Sequence, residues 1–526
     1  MRILYKIANK LFRIVKKILK LLTSRMVIIG VALLLEFCWL AGIVMQLNEK
    51  SVYINYAVTI LSLIAVLSII NNPKMNPGYK LMWAVCILAL PVTGICLYGI
   101  LGHSSVARKF RTHYDTVLLS QGGVLGEEEE TRKKLEEENI LAAGQSSYLT
   151  NYAHYPVYVN TETEYYPLGD VWFEHFIEEL KKAEHYIFME YFIISEGYLW
   201  DTVLEILKEK AAAGVDVRLI YDDFGCVTTL PYQYYKSLQQ MGIKCAAFNQ
   251  FRPVLNVILN NRDHRKIAVI DGHTAFTGGI NLADEYINRK ERFGHWKDSG
   301  ICLHGEAVWS FTVMFLQMWS TITGMECDFE SYRPEIYHKE AFKKDGFVQP
   351  YGDSPLDGET VGEHVYLNII SQAKKYLYIF TPYLIPDNET LTALCMAAKR
   401  GVDVRIVTPG IPDKKIVYIL TQANYEILLE SGVQIYQYTP GFIHSKSFVC
   451  DDEVATVGTI NMDYRSMYLH FECGVWMYGS SAVAQVKEDA LTTFEQCEQI
   501  NMDYCRKKNF AVRALRGALK FLAPLL

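Results

Sequence analysis

The chain has 526 residues, half of them hydrophobic, which excludes a disordered protein and is long enough for two or three domains. Its 52 basic and 58 acidic residues give a net charge of −6, but residues 1–25 alone hold eight Lys or Arg and no acid, leaving the rest at −14. So acidic a remainder argues against a nucleic-acid partner, and twelve cysteines without a C-x-x-C pair argue against a disulfide framework or a zinc ribbon.

Residues 1–25 read as a basic amphipathic helix: Arg2, Lys6, Lys10, Arg13, Lys17 and Lys20 share one face, and Leu4, Ile7, Leu11, Val15, Ile18 and Leu22 the other. Three apolar runs follow at 26–47, 52–70 and 81–101, each about as long as a bilayer-crossing helix, so residues 26–105 are expected to hold two to three transmembrane helices. Glu36, Asn55 and Pro91 interrupt them. The basic N-terminus places the start of the chain on the cytoplasmic side, whereas three crossings would put the rest outside and the cysteine usage favours a reducing compartment; the side of the catalytic region stays open. Acidic runs at 127–130 and 136–138 mark residues 106–149 as a polar connector or helix.

Beyond it one pattern occurs twice. Ala213-Gly-Val-Asp-Val-Arg218-Leu-Ile is answered by Arg400-Gly-Val-Asp-Val-Arg405-Ile-Val, and the strand-like run from Tyr186 by the run from Tyr376. Strands alternating with helices at this spacing predict two α/β lobes, residues 150–340 and 341–505, with mostly parallel sheets. Residues 506–526, with Arg506, Arg513, Arg516 and Lys520 among Phe510, Leu515 and Leu519, read as a basic amphipathic C-terminal helix, suited to a membrane surface or to its own domain.

Each lobe carries the spacing H-x-K-x4-D-x6-G-[GT]-x-N. In the first it falls on His264, Lys266, Asp271, Gly278 and Asn281, in the second on His444, Lys446, Asp451, Gly458 and Asn461, with the histidines 180 residues apart. On a strand, His and Lys two residues apart share a face. Two such pairs suit a phosphodiester: one neutral imidazole attacks phosphorus, the other protonates the leaving alkoxide, and the lysines hold the non-bridging oxygens. The asparagines are candidates for further oxygen contacts; Asp271 and Asp451 read as hydrogen-bonding residues rather than proton carriers. A lone His-x-Lys is usually an exposed polar pair, but the full spacing repeated at matching places in duplicated lobes points to function. There is no Walker A loop, no G-x-G-x-x-G and no metal-ligand spacing, so neither cofactor nor metal is expected.

These paired motifs resemble the HKD motifs of the phospholipase D superfamily. The Asn76-Pro-Gly-Tyr-Lys segment, the apolar run 91–102 and the terminal Pro524-Leu-Leu are similar to bacterial cardiolipin synthases. The resemblance implies two pseudo-symmetric phospholipase D-like lobes behind membrane helices, in a multi-pass enzyme of the cell membrane. It further implies a phosphatidyl transfer between two phosphatidylglycerol molecules through a phosphohistidine, with His264 as nucleophile and His444 as general acid. In that family an acidic residue after each motif orients a catalytic histidine, and the matching positions are Asp298 and Glu472. A lipid hydrolase, or a phosphatidyltransferase with another acceptor, would use the same residues, and a non-catalytic membrane lipid-binding scaffold would require both motifs to be relics. Oligomeric state is not legible.

Overall fold

A computed structural model describes residues 30–31, 33–34, 36–38, 50–73, 75–99, 105–120, 123–126, 129–250, 261–506 and 510–525. Two compact units are distinguished, residues 1–109 with 251–260, and residues 110–250 with 261–526. The predicted basic helix 1–25 and most of the first apolar run lie outside the described residues.

In the first unit the second apolar run forms the helix Lys50–Ile70. The third is split at Pro91 into Pro77–Ala89 and Pro91–Leu97, because proline lacks the N–H that would continue the ladder. Buried Glu36 accepts a hydrogen bond from the Thr93 amide in the first turn after this break, at 2.7 Å. Among the described residues no helix is long and apolar enough to cross a membrane. Lys50, Tyr53, Asn55 and Tyr56 occupy the start of the longest one, leaving residues 57–70, about 21 Å of helix against a hydrocarbon core of about 30 Å. The expected crossings are therefore not carried by any single described helix.

The second unit is built on two sheets. The first takes strands β1 (Thr161–Tyr166), β2 (Tyr186–Tyr191), β3 (Asp216–Asp222), β4 (Lys244–Phe248), β6 (Ile267–Ile270), β7 (Thr274–Gly278) and β9 (Gly300–Gly305), in the order β1-β9-β7-β6-β2-β3-β4. Short strands β5 (Arg262–Asp263) and β8 (His295–Lys297) stand outside that order. The second sheet runs β10 (Phe347–Asp353), β17 (His470–Tyr478), β16 (Val454–Gly458), β15 (Ser447–Cys450), β11 (Tyr376–Phe380), β12 (Asp403–Pro409), β13 (Gln434–Tyr438) and β18 (Cys497–Ile500), with β14 (Gly441–Ile443) separate.

Only β2·β3·β4 and β11·β12·β13 are parallel trios; the other neighbours within each order pair antiparallel, so the sheets are mixed and the expectation of mostly parallel sheets is corrected. The reason is local. After two helical crossovers the chain returns through the motif strand and turns at once, with Asp271 (φ 48°) and Gly272 (φ 73°), or Asp451 (φ 56°) and Asp452 (φ 63°), in the left-handed region. So tight a turn joins only antiparallel neighbours.

The aspartates at these turns also staple them down. Asp271 accepts from the backbone N–H groups of Glu184, His185 and Tyr186 at 2.7, 2.8 and 2.7 Å, where β2 begins. Asp451 does the same for Lys374, Lys375 and Tyr376 before and at β11, at 2.6, 2.8 and 2.8 Å.

One apolar core serves both sheets: Phe188, Val269 and Leu303 of the first and Val449, Val457 and Val475 of the second join a single buried cluster with the helices Val308–Thr323 and Ser481–Phe494. The polar connector is more than a solvated linker. Its helices Glu129–Glu138 and Ile140–Tyr152 bury Leu135, Ala142 and Leu149 against Tyr351 and Tyr366 of the second lobe. At the C-terminus the helix Phe510–Leu522 sets Leu519 against Leu420 and Val417, while buried Arg516 donates to Gln422 at 2.8 Å, so this helix packs on its own domain.

Removing a staple leaves one buried and two part-buried amides without an acceptor. Asp271→Ala is expected to cost about 3 kcal/mol and to lower the melting temperature, with Asp271→Asn milder because its side-chain oxygen still accepts and Asn tolerates positive φ. Thermal unfolding of the two variants checks this; an unchanged melting temperature in Asp271→Ala would show that this side chain is not what holds the turn.

Candidate active site

Each histidine is delivered by a strand that leaves its own lobe and pairs with the other. β5 lies parallel to the start of β17, with Arg262 opposite His470 and Asp263 opposite Phe471, and the His264 amide continues the ladder to the Phe471 carbonyl at 2.9 Å. β14 lies parallel to β8 in the same way, Gly441 opposite His295 and Ile443 opposite Lys297, and the His444 amide donates to the Lys297 carbonyl at 2.7 Å. The next residue on each receiving strand is a carboxylate. Glu472 therefore meets His264, both oxygens 2.9 Å from Nδ1, and Asp298 meets His444 Nδ1 at 2.6 Å.

The two acidic residues thus serve the opposite lobe's histidine. The His-x-Lys segments are not regular strand, as the sequence pattern suggested, but irregular links between these exchanged pieces and β6 or β15. Both lysines fold back onto the motif: Lys266 Nζ donates to the His264 carbonyl at 2.6 Å, and Lys446 Nζ to the His444 carbonyl.

All six groups are buried, and burial dominates their titration. It drives His264 well below the ordinary imidazole range, helped by Lys266, His470, Lys446 and His444. His444 is lowered to about 4 by burial and Lys446, against the opposing pull of Asp298. Burial lowers Lys266 to about 8 and, together with Lys266's own charge, Lys446 to about 7. Burial also raises Glu472 to about 8. For Asp298 burial is outweighed by His444, Lys446 and the Ser299 amide, so it stays below the usual carboxylate value. The crossed ladders bring the two motifs together: His264 continues the pairing with β17 of the second lobe, and His444 that with β8 of the first.

The remaining sequence candidates separate. Asn281 is spent on the scaffold, accepting from the Ile193 amide at 3.0 Å and donating to Tyr286 at 2.8 Å. Asn461 keeps a buried Oδ1 with no hydrogen-bond partner. Asp271 and Asp451 sit a strand's length from the histidines, on the backbone amides already described. Gly278 and Gly458 are packing residues, since a Cβ on either would strike the backbone of Ser299 or Cys473.

Several neighbours escaped sequence reasoning. Thr459 donates its hydroxyl to Glu472, and the matching Gly279 leaves room for Asp298. Arg265, the central residue of the first motif, forms a buried ion pair with Glu190 at 2.5 Å and meets Asp263 at 3.3 Å. The available signal was Glu190 itself, a charge inside the otherwise apolar β2. Phe192 lies against His264, ring centres 4.9 Å apart, and Tyr286 and Trp296 flank His444, each at 5.6 Å. A cavity of about 780 Å³, lined by Arg265, Tyr114, Asp353 and Glu359 among others, includes neither histidine. Among the described residues no group of three or more His, Cys, Asp or Glu is placed to hold a metal ion.

Comparison with known proteins shows the family. A family described as "Cardiolipin synthase, PLD-like domain" matches residues 176–319 and 366–493, and one described as "Phospholipase_D-nuclease N-terminal" matches residues 60–103. The chain is 34% identical to a cardiolipin synthase of Alkalihalophilus pseudofirmus over 472 residues, covering 89% of this chain and 92% of that one. It is 34% identical to cardiolipin synthase 2 of Bacillus cereus over 461 residues, 86% and 87% respectively. A solved phosphatidylserine synthase from Haemophilus influenzae shares the fold, with TM-score 0.55 and 16% identity over 75% of this chain and all of that one.

Because Lys446 depresses both imidazoles, Lys446→Met is expected to raise the titration midpoints of His264 and His444, read by NMR of labelled histidine. Unmoved midpoints would show that this ammonium is turned away from the centre.

Proposed function

The chain belongs to the cardiolipin synthase family of phospholipase D-like proteins, and from that premise we propose that it transfers the phosphatidyl group of one phosphatidylglycerol to another. The observation that carries this reading is the pair of histidines whose Nδ1 atoms are each held by a carboxylate of the opposite lobe. A carboxylate at Nδ1 favours the tautomer with the proton there, leaving the Nε2 lone pair for chemistry.

In the first step Nε2 of His264 attacks phosphorus; a P–N bond forms as the P–O bond to the head-group glycerol breaks, and the departing oxygen takes its proton from His444. In the second, a hydroxyl of the other phosphatidylglycerol gives its proton to His444, its oxygen bonds to phosphorus and the P–N bond breaks, releasing cardiolipin and restoring both rings. Lys266 and Lys446 serve the non-bridging oxygens, with the side-chain NH2 of Asn461 as a further donor. In the empty site both imidazoles are neutral, as attack requires. An arriving phosphodiester offsets the lysine charges and raises the imidazole pKa values, which lets His444 carry the proton it must donate.

The N-terminal region serves in this reading as the membrane anchor of a multi-pass enzyme of the cell membrane. The match at residues 60–103 supports it, as do the outward apolar side chains of the helix Lys50–Ile70, among them Ile60, Leu61, Ile64 and Leu67. The basic residues at 1–25 suit anionic lipid.

Purified protein in phosphatidylglycerol vesicles, without nucleotide, is expected to release glycerol and form cardiolipin, with His264→Ala and His444→Ala each lowering the rate by about a thousandfold or more. Phosphatidic acid as the main product would replace transfer by hydrolysis, and activity surviving both substitutions would remove these residues from the mechanism. The lysines bind phosphate only while charged, and deprotonation is what rising pH brings; kcat/KM is therefore expected to fall as pH passes through about 7 to 8. A flat alkaline profile to pH 9 would contradict the lysine role.

A further inference from the structure

The pseudo-symmetry of the centre fails at one rung of the exchanged ladders. Residues two apart on a strand share a face, so the pair one step before His264 and Glu472 lies beside them, about 6 to 7 Å along the strand. That pair is Arg262 and His470. At the matching step before His444 and Asp298 stand Phe442 and Trp296, two buried rings with centres 4.8 Å apart. One half of the site is dry and aromatic where the other presents a guanidinium and an imidazole.

Asp222 lends Arg262 an attractive charge and the Leu469 backbone lies against the His470 ring, yet each group keeps a buried nitrogen without a hydrogen-bond partner. Arg262 rests on the Phe224 ring at 4.1 Å, makes no ion pair among the described residues and buries an Nε with no hydrogen-bond partner. His470 is 8% exposed, its ring centre is 5.8 Å from that of His264, and its buried Nδ1 also lacks a partner. Burial, with the charges of Arg465 and Arg262, keeps this ring neutral, so it offers an N–H without adding charge.

We propose that Arg262 and His470 form a second phosphodiester subsite, which holds the acceptor lipid's own phosphate while its glycerol hydroxyl attacks the phosphatidyl-enzyme. This rests on the transfer reading above. The reaction itself asks for such a site: the acceptor arrives with one phosphate already in place, and the product carries two phosphates joined by a single three-carbon bridge. The lysine pair is occupied by the reacting phosphorus, so the second anion needs its own donors within that bridge's reach, and the rung beside His264 supplies a charge-assisted one.

The test separates an anionic acceptor from a neutral one. Full-length protein in phosphatidylglycerol vesicles is given labelled glycerol, and two products are followed: cardiolipin, and labelled phosphatidylglycerol formed when free glycerol, which carries no phosphate, captures the same intermediate. In Arg262→Gln and in His470→Phe the ratio of cardiolipin formation to glycerol exchange is expected to fall at least tenfold, through a higher KM for the acceptor lipid, with Arg262→Lys recovering part of it. Exchange that persists with an unchanged ratio, or the two activities falling together, would overturn the subsite alone. A wild-type protein showing neither product would overturn the transfer reading, and the subsite with it.

Discussion

The segment carrying each histidine is hydrogen-bonded to the opposite lobe, and the rest of the centre depends on that exchange. β5 can reach β17, and β14 can reach β8, only if the two sheets close on one another, which is what the shared apolar core of Phe188, Val269, Val449 and Val475 enforces. Once the ladders are in register, the residue after each receiving pair is Glu472 or Asp298, and no other arrangement is needed to place a carboxylate on each imidazole. The aspartate staples act at the far ends of the same motif strands, so each H-x-K-x4-D run is pinned to its own sheet at the aspartate and to the other lobe at the histidine.

Concentrating two lysines and two histidines in a buried volume is costly, and the protein answers it with neutrality more than with counter-charge. Both imidazoles are held unprotonated and both ammonium groups are weakened. The arrangement is unfavourable to itself until an anion arrives. Such a centre needs no exposed basic surface, in agreement with a globular region that is acidic as a whole.

The motif and its repetition were legible in the sequence because they are local spacings recurring in register, whereas the two carboxylates rested on the family resemblance, since Asp298 lies 34 residues after His264 and Glu472 28 after His444. The crossed pairing was not, since strands of two and three residues such as Arg262–Asp263 and Gly441–Ile443 are too short to show periodicity. The mixed sheets were missed because βα alternation governs only the first half of each lobe, and the Asp-Gly and Asp-Asp turns that reverse the second half went unread as hairpins. The acidic runs hid the apolar stripe of Leu135 and Leu149, which makes the connector part of the second lobe. Asn281 and Asn461 occupy equivalent motif positions and differ only through what surrounds them: Tyr286 and the Ile193 amide claim the first, and nothing claims the second oxygen.

The long sequence separation between each histidine and its carboxylate, 208 residues for His264 and 146 for His444, bears on how the protein is made. His264 emerges from the ribosome early, and Glu472 follows only when most of the chain has been translated. During that interval the first motif has neither its orienting carboxylate nor an opposing motif, so the nascent chain lacks the completed centre. The centre is therefore completed late and in a single event, and a chain truncated by proteolysis or stalled synthesis before residue 472 lacks the carboxylate that holds His264.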